Sequence, residues 1–108
     1  MLDAKDLARA TVTRHALDRW RQRVGLPCED LADVLRSAVN PPAHVRAIAW
    51  NWLTRGTRYS QRAAALRWCP LTGIVFLLKR MTDYADGSPC WAVVTVTTLD
   101  VVRENQPA

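Results

Sequence analysis

An α+β domain is predicted, with two to three N-terminal helices packed on one face of a three- to four-stranded antiparallel meander. Three observations carry this. Between Thr13 and Arg55, apolar residues recur at three- and four-residue steps, the period of a helix with one buried side. From Ala64 to Val102 the period falls towards two, and valine and threonine dominate. Short Pro- and Gly-bearing punctuation separates these runs, so consecutive strands are expected to be neighbours. At 108 residues the chain suits one domain with one core. Residues 1–9 are expected to be frayed or loosely helical, 14–55 to form the helical part and 58–102 the sheet part.

Each element follows from its residues. A short extended piece is expected around Ala10 to Thr13. Thr13 then caps a helix from Arg14 to Val24, because its hydroxyl can accept an otherwise unpaired backbone N–H. Gly25 supplies a left-handed stop, and Pro27 prevents continuation. The next helix runs from Glu29 to Val39, with Leu31, Val34, Leu35 and Ala38 inward and Glu29, Asp30 and Asp33 near its positive end. Asn40-Pro41-Pro42 ends it. A third helix fits Ala43 to Arg55, with Val45, Ile48, Ala49 and Trp52 on one stripe and Gly56 as terminator. Ala64 to Cys69 alternates as a half-buried strand, and Pro70 to Gly73 reverses the chain. Ile74 to Met81 reads as a central strand, and a polar loop leads to a last strand from Trp91 to Val102. By period, Trp20, Trp52 and Trp68 face the core.

Composition narrows the function classes. Hydrophobic residues make up 49% of the chain and charged residues 23%, the profile of a folded, soluble protein. Cys28, Cys69 and Cys90 have no C-x-x-C spacing, and His15 and His44 add too little for a four-ligand zinc site, so no metal or cofactor is expected. The first residues lack the apolar core of a secretory signal, and no apolar run approaches the ~18 residues of a membrane span. A cytoplasmic protein without membrane contact is the expectation. No G-x-S-x-G, H-E-x-x-H or phosphate-cradling glycine loop is present.

The net charge of +5 points to a polyanion. The stretch TVTRHALDRWRQRVG, residues 11–25, concentrates that charge. On a helix, Ala16, Leu17, Trp20 and Val24 share one side, while His15, Asp18, Arg19 and Gln22 lie opposite. His15, Arg19 and Arg23 follow at four-residue steps and form a row one helical turn apart, where like charges repel slightly. Such a row suits an anion-binding helix, and it also describes an ordinary solvated face. A second basic segment, TRGTRYSQR, holds Arg55, Arg58 and Arg62 with Tyr59 among them, types that clamp phosphate and stack bases. Arg67 and Lys79-Arg80 extend it if the strand pleat sends them to one side. Trp50 lies off its helix's apolar stripe and Trp91 begins a strand; each is either a partner anchor or a core margin. The chemistry these residues can support is metal-free RNA cleavage. His15 would take the 2′-hydroxyl proton while Arg19, Arg58 and Tyr59 stabilise charge on the phosphate.

The run Thr13-Arg14-His15-Ala16-Leu17-Asp18-Arg19, continuing to Arg23-Val24-Gly25, resembles the opening of small BrnT-type toxins of the RelE-like ribonuclease group. The strands IVFLLK and WAVVTVTTL resemble that group's closing meander. The resemblance covers about residues 11–39 and 64–100. It implies a RelE-like fold in a toxin–antitoxin system, with RNA or an antitoxin as partner and His15, Arg19 and Arg23 as site residues. Val24 between Arg23 and the glycine, and the helix from Ala43, depart from the pattern. The alternative function is a non-enzymatic phage- or mobile-element-encoded inhibitor that holds an acidic host or defence protein through its basic and tryptophan-bearing surface. Homodimer formation through an open sheet edge is a further expectation.

Overall fold

Five consecutive buried residues in one strand set the architecture. Ile74, Val75, Phe76, Leu77 and Leu78 are all 1% exposed or less, which an alternating strand allows only if both sheet faces are covered. In the computed structural model, which describes residues 4–53, 64–82, 85 and 87–104, both are. Ile74, Phe76 and Leu78 join Leu7, Ala16, Trp20, Leu31 and Leu35 in one core. Val75 and Leu77 join Val45, Ala49, Leu53 and Leu99 in a second core. The expectation of helices on a single face is therefore corrected. The central strand is apolar on both sides, and a one-sided protein would leave Val75 and Leu77 in water.

The described residues form an α+β structure with five α-helices around a four-stranded mixed sheet. The elements are α1 (Ala4–Arg9), β1 (Thr11–Val12), α2 (Arg14–Arg19) running on as a π turn (Trp20–Val24), α3 (Asp30–Ser37), α4 (Ala43–Leu53), β2 (Ala64–Cys69), β3 (Ile74–Thr82), β4 (Pro89–Thr98) and α5 (Leu99–Glu104). The expected meander is there: β2, β3 and β4 pair antiparallel in sequence. A correction comes at its edge, where β1 pairs parallel to β4 through Thr11–Ala92 and Val12–Val93, giving the order β1-β4-β3-β2. Register slips between Leu77 and Leu78, whose partners are Thr95 and Val93. Val94 is thus the extra residue of a bulge, and the shift lets Val93 and Val96 enter the same core although they stand three residues apart.

Local chemistry accounts for the remaining boundaries. Of the two forms expected for the first residues, 4–9 take the helical one, because α1 inserts Leu7, 6% exposed, into the first core. The Thr13 hydroxyl accepts from the Ala16 N–H at 3.2 Å, as an N-cap should, and donates to the Val93 carbonyl at 3.0 Å. One side chain therefore starts α2 and ties it to β4. After Arg19 the helix widens: the Gly25 N–H donates to the Trp20 carbonyl five residues back at 3.1 Å, and Gly25 takes φ 75°. Trp20 is fully buried, stacks on Phe76 with centroids 6.3 Å apart, and donates its indole N–H to the Leu26 and Pro27 carbonyls.

α3 stops at Ser37, short of the expected Val39, because Val39 exchanges two 2.8 Å backbone bonds with Trp68 of β2. The last strand ends at Thr98, not Val102. The Thr98 hydroxyl accepts from the Val101 N–H at 3.2 Å and Asp100 sits in the first turn, so Thr98 caps α5 and Leu99 and Val102 turn inward. Trp52 and Trp68 face the second core and are half-buried against it. The expected helix end at Arg55 lies outside the described residues.

Candidate nucleic-acid interface

α2 and its π turn carry the basic face. Ala16 and Trp20 are fully buried beneath it, and Thr13 fixes its start against β4, so the helix cannot roll. Arg14 and His15 are exposed, while Arg19 and Arg23 are half-buried. Asp18 and Arg21 form an exposed i,i+3 pair at 3.5 Å, a contact that contributes little in water.

Arg19 and Arg23 are the unusual members. The Arg19 Nη1 donates to the Gln22 Oε1 at 2.6 Å, while its Nε is buried without a hydrogen-bond partner. The Arg23 Nη1 donates to the Val96 carbonyl at 3.0 Å, and its guanidinium carbon lies 4.5 Å from the centre of the Trp52 ring. Burial, and then the charge of Arg19, pull the Arg23 pKa below its usual value. Neither arginine has a carboxylate partner among the described residues.

The spacing predicts a straight row of His15, Arg19 and Arg23. A π turn advances fewer degrees per residue than an α turn, so Arg23 falls short of the line through the other two. It meets β4 beyond the end of β1, on the edge that no strand among the described residues covers. There it closes a sheet edge and joins the two helical layers through Trp52. No sequence period announces the π turn, which is why this placement was not legible.

The other candidates are dispersed. Arg55, Arg58, Tyr59 and Arg62 lie outside the described residues. Arg67 of β2 is half-buried, donates to the Leu66 carbonyl at 2.6 Å, and has its pKa lowered by burial and then by Arg46 of α4. In the β2–β3 register Arg67 faces Phe76 and Lys79 faces Ala64, so pleat alternation sends Lys79 and Arg80 to opposite sides. Arg67 therefore shares its side with Arg80 and not with Lys79. Trp91 packs partly buried against the first core. Trp50 packs partly against the second core with Arg46 over its ring at 5.7 Å. Arg46 was missed at the sequence level, although R-x-x-x-W places a cation one helical turn before an aromatic ring.

No family model, curated protein or solved structure matches this chain. Among the described residues, no group of three or more His, Cys, Asp or Glu is placed to hold a metal ion, and no helix is long and apolar enough to cross a membrane.

Proposed function

We propose that this chain binds RNA as a RelE/BrnT-like protein, laying α2 and its π turn along the phosphate backbone. The observation that carries the reading is the pair Arg19 and Arg23. Two guanidinium groups, both half-buried and close enough for one to depress the other's pKa, stand without a carboxylate between them among the described residues. The bond of Arg23 to Val96 and its place over Trp52 offset that repulsion, and a phosphate placed there relieves it and accepts charge-assisted bonds. Arg14 and His15, exposed one turn earlier, lengthen the track along one strand.

On this reading cleavage needs no metal. His15 removes the 2′-hydroxyl proton, the 2′-oxygen bonds to phosphorus as the P–O5′ bond breaks, the departing 5′-oxygen takes a proton from water, and Arg19, with Arg58 and Tyr59, stabilises the charge on the phosphate. Binding and cleavage separate experimentally. Wild-type affinity for a labelled single-stranded RNA, measured by anisotropy, is expected to fall as salt rises. Arg19→Ala is expected to reduce the slope of log K against log salt by about 1. His15→Ala is expected to abolish strand scission while leaving affinity within about twofold, since one exposed imidazole adds little binding. Affinity that is absent, or indifferent to salt and to Arg19→Ala, removes the proposal.

A further inference from the structure

α4 has a second face at the margin of the second core, where Trp50 is only partly buried. Val45, Ala49 and Leu53 point into the second core, and Trp52 reaches Arg23 at the sheet edge. Ala43, Arg46, Ala47, Trp50 and Asn51 recur at three- and four-residue steps along another side, where they line a hollow of about 320 Å³. That volume is at the small end of ligand pockets, which span roughly 300–1,000 Å³. Ala43 and Ala47 contribute little bulk, so the indole of Trp50 is the main apolar wall. Arg46 is exposed and holds its guanidinium 5.7 Å from the indole centre, within reach of the ring but looser than the 4.5 Å of Arg23 on Trp52. A long exposed side chain so placed can swing from the ring to an incoming anion. Asn51 brings an amide donor and acceptor to the same hollow.

An aromatic wall, an exposed cation and an amide match a planar ring joined to a phosphate.

We propose that the α4 hollow seats a 5′-nucleotide, with its base on Trp50, its phosphate on Arg46 and a base edge on Asn51. The ligand is either a free nucleoside monophosphate or one nucleotide of a single-stranded RNA, since both present the same ring and phosphate. The site is separate from the α2 face, and the proposal stands or falls apart from the reading of that face.

Isothermal titration of the full chain with adenosine 5′-monophosphate, adenosine and inorganic phosphate tests it. Saturable binding is expected for the nucleotide, about tenfold tighter than for either fragment, because stacking and the charged hydrogen bond act together. Arg46→Gln and Trp50→Leu are each expected to weaken nucleotide binding about tenfold, the loss that accompanies one such contact. Arg46 is exposed, so its replacement leaves the fold in place even if the Trp50 variant is destabilised. Arg19→Ala is expected to lose RNA affinity and keep nucleotide affinity, which separates failure here from failure at α2. Displacement of the nucleotide by a short oligoribonucleotide identifies RNA as the source, and persistence of the bound nucleotide identifies the free monophosphate. Phosphate binding as tight as the nucleotide, no saturable binding, or nucleotide affinity unchanged in Arg46→Gln overturns the proposal.

Discussion

Replacing Arg23 with methionine separates the part this residue plays in the fold from any part in binding. Methionine keeps an unbranched stem against Trp52 and removes the charge. The lost bond to the Val96 carbonyl is charge-assisted, 3.0 Å long and at a partly buried sheet edge, and contributes about 1.5–3 kcal/mol. The cation over Trp52 at 4.5 Å adds about 1 kcal/mol. Two terms oppose these: the guanidinium is no longer desolvated, and its repulsion with Arg19 disappears, together about 1 kcal/mol. The net expectation is destabilisation by about 2 kcal/mol, or a fall in Tm of about 9 °C for a chain of this length. Urea unfolding followed by circular dichroism measures it, with the denaturant slope unchanged. A double-mutant cycle with Trp52→Leu should return a coupling of about 0.5–1 kcal/mol. If Arg23→Met unfolds within about 0.5 kcal/mol of wild type, the usual range for a surface change, the edge-closing role is wrong.

Three further substitutions probe other joints of the structure. Thr13→Ala removes both the cap of α2 and its tie to Val93, so a loss of about 2 kcal/mol is expected in the same urea assay, beyond that of a cap alone. Trp20→Phe retains an aromatic ring against Phe76 but abandons the Leu26 and Pro27 carbonyls and leaves a small void; about 2–3 kcal/mol should be lost, and the turn after Gly25 should exchange its amides faster. Thr97 has the opposite sign: its hydroxyl is buried without a hydrogen-bond partner, so Thr97→Val, nearly identical in shape, is expected to raise stability by about 1 kcal/mol, and a loss of that size would show the hydroxyl to be paired.

Several elements could be read directly from residue order because their causes are local. Thr13 as a cap, Gly25 as a left-handed stop and Pro70 to Gly73 as a reversal need only neighbouring atoms. The α5 cap belonged to the same class, since Thr98 followed by Asp100 is a start signal; it was obscured by the valines on both sides. The candidate site was half legible. Helical spacing gives an exposed His15 and a nearby Arg19, but not the π turn that carries Arg23 to the sheet edge.

By itself the sequence determined the α+β class, the antiparallel β2-β3-β4 meander, and the caps and stops of α2, because propensity, period and capping act over a few residues. Tertiary structure alone decided that α4 lies on the opposite face from α2 and α3, that β1 joins the sheet in parallel, and that Arg23 turns towards Val96 and Trp52. These outcomes depend on contacts between residues far apart in the chain. The five-residue apolar run from Ile74 to Leu78 demanded cover on both sides, but only packing could choose which helix provides it.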